Sequence, residues 1–306
     1  MTGRPSARTL FARACATGDL AAVEAGLAAG AALGPVNPKG LTPLHLAAFT
    51  SGSPEVVRRL VAAGAEVDAP VTGSVTRFSA YADRERVGGR ELNPPDTPLL
   101  AAVGAVGNPL WREGTAVTEI VGVLLDAGAD PNAPGAFGMT PLLRFVYERG
   151  PKAPEIMRSL LAAGADRDAV GGVETPLYAA ISMRDDSALL VLLDAGADPC
   201  RLEDGLSEYA VGNTPLHWSA CAALRESTFA RILDAARDVD VRDARGRTPL
   251  HRAAAFNGTG HVRMLLDAGA DPAARVLGDQ GGETPLAIAR RAGLPRVAEV
   301  IAERLG

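Results

Sequence analysis

The chain has 306 residues, 47% of them apolar but only 4% aromatic, and a formal net charge of −5. That length allows two average domains or one elongated array, and the alanine- and leucine-rich apolar content favours closely packed helices. The lack of a basic excess excludes a nucleic-acid binder working by phosphate neutralisation, no apolar run is long enough to span a membrane, and Cys15, Cys200 and Cys221 are too few and too widely spaced for a disulfide framework or a paired-cysteine metal site.

The N-terminal stretch "MTGRPSARTLFARACATG" has basic residues but no apolar core of a secretory leader. The expectation is a cytoplasmic protein with three reduced thiols. A first helical pair is read over "TLFARACATGDLAAVEAGLAAGA", in which Gly30 lies 21 residues after Thr9. The second begins at Thr42 with "TPLHLAAF". Threonine is a good N-cap and proline suits the first helical position, where no N–H is needed. A second helix follows with Val57, Leu60 and Val61 at helical spacing, and Gly64 is placed to end it.

The Thr-Pro-Leu motif then recurs with its threonine at 97, 140, 175, 214, 248 and 284. The glycine of "LLDAGAD" and its relatives recurs at 128, 164, 196 and 269, with Ala236 holding the place in "LDAARD". The shortest steps approach a 33-residue unit, with 21 residues between the two landmarks. Short first helices such as "LYAAIS" and "LHRAAA" have small side chains that let a second helix approach. Asp or Asn after the glycine serves a turn. No such unit can bury its apolar face alone, so the units must stack. The expectation is an all-α fold of about eight helix–turn–helix–loop units, with atypical first and last repeats as caps. Residues 1–306 are read as one domain.

These features resemble the ankyrin-repeat family, over about residues 9–305. The resemblance rests on "TPLHLA", "TPLHRA", "LLDAGADPN" and the glycine two residues before threonine at 40, 138, 212, 246 and 282. Departures are local. Leu100, Leu143, Tyr178 and Ala287 replace histidine, Phe145 and Ser219 replace alanine, and Pro95 and Val173 replace the loop glycine. Shifted loops are expected there.

Three of the four histidines, His45, His217 and His251, sit within TPLH. A catalytic histidine needs an oriented partner acid or nucleophile, and a metal site needs convergent ligands. Copies one unit apart fit neither. An imidazole near a helix N-terminus is placed to bond a threonine hydroxyl or a loop carbonyl, and the resemblance implies that it ties its turn to the next unit. His261 is expected as a capping or surface residue. The recurring "DAGAD" carboxylates are read as turn residues. No nucleophile elbow, phosphate loop, HExxH or calcium loop is present in the sequence. Neither catalysis, cofactor nor metal is expected.

The resemblance implies binding of a protein partner through a concave face and loop tips. Residues that vary between units supply the candidates: Leu41, Phe49, Phe137, Met139, Tyr147 and Met183 as an apolar strip, since exposed aromatics and methionine anchor interfaces. The segment 69–96 carries 21 extra residues, including Phe78 and Tyr81, and a ten-residue excess in the next unit brings Trp111 nearby. Long solenoid insertions are often functional. A shorter acidic insertion, "RLEDGLSEYAVG", contains Tyr209. The partner set expected is a protein, with no nucleic acid, no membrane and a monomeric chain without a further domain. Ala/Gly/Arg usage suggests a GC-rich bacterial genome. The alternative role is an exported effector acting on another cell, which recovery from culture supernatant without lysis would favour.

Overall fold

The computed structural model describes residues 5–75, 92–104, 115–148, 153–171, 174–202, 212–256, 258–276 and 282–306. Within these the chain is helical, with only two isolated β-bridges, Val75 with Leu92 and Gly171 with Glu174. Its contacts fall into two compact units, Met1–Asp166 and Arg167–Gly306.

In the first unit the helices come in pairs: α1 Ala7–Thr17 with α2 Leu20–Ala28, α3 Pro43–Leu46 with α4 Pro54–Ala62, α5 Pro98–Gly104 with α6 Thr115–Asp126, and α7 Pro141–Glu148 with α8 Ala153–Ala162. The first helices pack in series, α1 on α3 and its following turn, that turn on α5, and α5 on α7. The second helices do the same, α2 on α4, α4 on α6 and α6 on α8. The second unit repeats this plan with α9 Pro176–Met183 and α10 Asp186–Asp194, α11 Pro215–Cys221 and α12 Glu226–Ala235, α13 Pro249–Ala254 and α14 Thr259–Asp267, α15 Pro285–Arg291 and α16 Pro295–Ala302. Its first helices pack in the order α9, α11, α13, α15 and its second helices in the order α10, α12, α14, α16.

Local chemistry sets these boundaries. The hydroxyls of Thr42, Thr175, Thr214 and Thr284 accept the backbone N–H three residues on, with proline at the first helical turn. Each such cap contributes about 1 kcal/mol. At the far end Gly269 takes φ +94°, the left-handed conformation that closes a helix. Ala236 at the matching place does not. Its Cβ disfavours that region, and the chain leaves α12 in an extended conformation at φ −73°, ψ 128°.

Small residues line the first helices. Ala47, Ala48, Ala101, Ala102, Ala179 and Ala180 are buried, and the larger side chains that fill the core include Leu44, Leu60, Leu99, Ile120 and Leu124. The two substitutions at the alanine position are both buried. Phe145 fills core volume, while the Ser219 hydroxyl donates to the Leu216 carbonyl at 3.0 Å, which satisfies it. Pro95, in place of a loop glycine, lies in the turn Asn93–Asp96, closed by Asp96 N–H to the Asn93 carbonyl. Val173 lies outside the described residues.

Candidate interaction surface

The three TPLH histidines occupy equivalent positions. In each, the threonine hydroxyl is 2.8 Å from Nδ1: Thr42 to His45, Thr214 to His217 and Thr248 to His251. Each Nε2 lies 2.9–3.1 Å from a backbone carbonyl of the following repeat, Asp96, Arg247 and Glu283 respectively. A carbonyl only accepts, so Nε2 carries the proton and Nδ1 accepts from threonine. These rings are buried, at 0%, 0% and 1% exposure. Burial pushes His45 and His217 down to about 4 and lowers His251 as well. All are neutral joints between repeats, each bonding the residue just before the next threonine.

The repeated acids are turn residues with a second task. Asp130, Asp198, Asp238 and Asp271 each accept the N–H two residues on, at 2.8–2.9 Å. Where the residue at that second position of the turn is Asp or Asn, its side chain reaches the next repeat. The Asp68 carboxylate accepts Asp130 N–H, Asn132 accepts Asp166 N–H, and Asp240 accepts Asp271 N–H. Burial raises the pKa of Asp68 and Asp240. Among the described residues, no group of three His, Cys, Asp or Glu side chains is placed to hold a metal ion.

His261 differs from expectation. It is 8% exposed, its ring stacks on Phe229 at 4.2 Å between centroids, and Nδ1 donates to the Ala220 carbonyl at 3.4 Å. The turn between α13 and α14 brings it under α11 and α12, so it is a packed core residue and not a surface one. The three thiols are free, and burial pushes Cys15 up to about 12, which keeps it protonated and inert.

Two members of the expected apolar strip are not at the surface. Leu41 is 0% and Phe49 1% exposed. The segment 70–72 crosses the loop that carries Leu41: Thr72 N–H donates to the Lys39 carbonyl at 2.8 Å, and a Cβ on Gly40 would lie 2.9 Å from the Pro70 oxygen. Phe49 lies in a wider π turn, Ala47–Ser51, that replaces the α-helix after Leu46. The wider turn changes the angular position of the seventh residue after threonine and directs Phe49 inward. At the equivalent place Tyr147, on regular α7, is half-buried.

Phe137 is 88% exposed, at the tip of the short 3₁₀ turn Ala136–Gly138, with φ +58°. Met139 beside it is half-buried, as is Met183 at the end of α9 in the second unit. Phe78, Tyr81, Trp111 and Tyr209 lie outside the described residues. The insertion that carries Phe78 and Tyr81 starts and ends on a paired stem, in which Val75 N–H donates to the Leu92 carbonyl at 2.8 Å and Leu92 N–H returns to Val75 at 3.2 Å.

One functional-looking group was not identified from sequence. Asp96 is fully buried; its Oδ2 accepts Arg144 Nη1 at 3.1 Å and Asn93 N–H at 3.0 Å, while its carbonyl accepts both His45 Nε2 and Val71 N–H. Leu100 stands where a joint histidine would be, and the Asp96–Arg144 ion pair bridges to the repeat beginning at Thr140 instead. Only the variation at the residue before threonine hinted at it.

Residues 39–70 match the model described as "Ankyrin repeat", and residues 217–306 the one described as "Ankyrin repeats (3 copies)". Mouse NF-kappa-B inhibitor delta is 37% identical over 98 residues, covering 31% of this chain and 29% of that protein. Mouse Rabankyrin-5 is 30% identical over 141 residues, 44% of this chain and 12% of that protein. The chain thus spans less than a third of the length of either relative. The crystal structure of the ankyrin repeat domain of Bcl-3, a member of the IkappaB family, superimposes with a TM-score of 0.62 at 25% identity, covering 86% of this chain and 99% of that one. Such repeats are protein-interaction modules. With the stacked helix pairs and the threonine–histidine joints, these matches show that the chain carries ankyrin repeats.

Proposed function

We propose that this chain is a non-enzymatic, cytoplasmic module, monomeric and built as one array of repeats, that holds a protein partner through its loop tips. In the first unit the contact is made by Phe137 and Met139, with Tyr147 on α7, and by the 69–96 insertion with Phe78 and Tyr81. Trp111 of the neighbouring insertion joins it. Met183 contributes from the second unit.

Phe137 carries this reading. A left-handed backbone costs an L-residue about 1–2 kcal/mol, and an aromatic at 88% exposure gains almost nothing from burial in return. Glycine would serve the turn better. A loop that holds a phenylalanine in an unfavourable conformation and in water is explained by a partner that buries it.

The test is Phe137→Gly. It is expected to leave the melting temperature equal or slightly higher, because the backbone strain is relieved and no buried contact is lost. Capture of the partner, identified by affinity purification and mass spectrometry with the wild-type chain, is expected to fall sharply. Undiminished capture by the variant would refute the role of this loop.

A further inference from the structure

We propose that the surface of the second unit formed by Arg245, Arg247, Arg252 and Trp218 receives an acidic segment of a protein partner, a stretch rich in Asp or Glu. The proposal rests on the reading of the chain as a protein-binding module and names the chemistry of one contact.

The segment "RDARGRTPLHR", residues 242–252, holds four arginines and one acid within a chain of net charge −5. That acid, Asp243, is already saturated. Its Oδ1 accepts the N–H groups of Arg245 and Arg247 at 2.9 Å, and its Oδ2 accepts Arg247 Nε at 2.8 Å and lies 2.7 Å from Arg247 Nη2. Arg242 directs Nη1 at the carbonyls of Gly246 and Arg275. Glu283, whose carbonyl accepts from His251 Nε2, has its carboxylate held by Arg291 through two bonds of 2.9 Å.

Two guanidinium groups therefore meet no carboxylate among the described residues. Arg245 is exposed and forms no ion pair among the described residues. Arg252, on α13, is half-buried, with Nε shielded from solvent and without a hydrogen-bond acceptor. Its neighbours are the Cys221 thiol, which accepts a hydrogen bond from it, and the His217 ring, neither of them negative, and Arg247 and Arg252 both disfavour a proton on that ring. A half-buried guanidinium whose shielded Nε–H has no acceptor is costly, and a carboxylate meets it with a planar, two-bond geometry.

Trp218 completes the patch. It takes the same place on α11 that Arg252 takes on α13, and these helices pack together. Its ring is half-exposed and held by stacking on Tyr178, with centroids 5.7 Å apart and planes 22° apart. A fixed aromatic beside arginines that meet no carboxylate among the described residues is the composition of an interface anchor. The rigid ring can cover the aliphatic part of a Glu or Asp segment while the arginines bind its carboxylates.

The full chain is titrated into fluorescein-labelled decaglutamate, with decaglutamine and a ten-thymidine oligonucleotide as controls, and anisotropy is read at low and physiological salt. Saturable binding of decaglutamate is expected, weaker at higher salt, with none to decaglutamine. Arg245→Glu together with Arg252→Gln should weaken it at least about tenfold. Arg245→Glu alone, at an exposed position where the fold is not at risk, should weaken it about threefold. Absence of saturable binding, equal binding by both variants, or equally tight binding of the oligonucleotide would overturn the proposal. Loss of partner capture by Phe137→Gly would stand in any of these cases, so the two readings fail separately.

Discussion

Replacing His217 with Ala tests the histidine joint quantitatively. The ring is 0% exposed and makes two side-chain bonds, to Thr214 at 2.8 Å and to the Arg247 carbonyl at 2.9 Å. Two buried hydrogen bonds contribute about 2 kcal/mol net, and truncating a buried ring adds about 1–2 kcal/mol for the space left. The carbonyl of Arg247 keeps a donor in Asp243 N–H, and Thr214 still caps the helix through residue 217's N–H, so no larger penalty is due. The variant should lose about 3–4 kcal/mol, or roughly 10 °C in melting temperature. The loss should also depend on pH. Burial holds the folded His217 at about 4 against an ordinary value of 6.5. Above the ordinary value the ring is neutral folded and unfolded, and its full contribution is present. As pH falls below it, the unfolded chain takes up the proton first, so the contribution declines until the folded pKa is reached. Between about pH 7.5 and pH 5 the gap between wild type and variant should narrow by about 2 kcal/mol. Urea unfolding followed by far-UV circular dichroism at both pH values measures this. His45 and His251 titrate in both proteins and cancel in the difference. Partner capture at low temperature should persist. A variant as stable as wild type, or a gap that does not change with pH, would refute the account of these histidines as neutral joints.

Arg144→Ala should destabilise the chain by about 3 kcal/mol, because it leaves the Asp96 carboxylate buried and uncompensated; restoration by adding Asp96→Asn, read by chemical unfolding, checks that cause. Deleting residues 76–91 and joining Val75 to Leu92 through Asn-Gly should leave helical content and melting nearly unchanged, since Val75 and Leu92 already exchange both backbone bonds and a two-residue turn closes such a pair. Loss of cooperative melting in the deletion would show the insertion to be structural. The same deletion should reduce partner capture, and Phe137→Gly should reduce it without destabilising the fold.

The repeat, its helix boundaries and the role of the histidines were legible because they depend on residues within a few positions of one another. Threonine caps the N–H three residues on, proline suits the turn after it, glycine closes the second helix, and the histidine ring reads its own threonine. Ala236 shows the same logic in reverse, since the loss of one glycine alters how α12 ends. The surface was less legible. Phe137 is exposed as expected, but Leu41 lies beneath the crossing segment 70–72 and Phe49 is turned inward by a π turn. His261 is stacked on Phe229, and the pairing of Asp96 with Arg144 joins residues 48 apart. What a side chain at such a position faces is decided by the neighbouring repeat, as for Leu41, or by a local departure from the repeat's helix, as for Phe49. The sequence by itself determined the number and kind of units and the chemistry of their joints, because these are local bonds repeated at a fixed interval. The burial of Leu41 and His261 and the pairing of Asp96 with Arg144 were settled only in the tertiary structure, because they arise between chain segments about 30 or more residues apart, where the neighbouring repeat covers one position and exposes another.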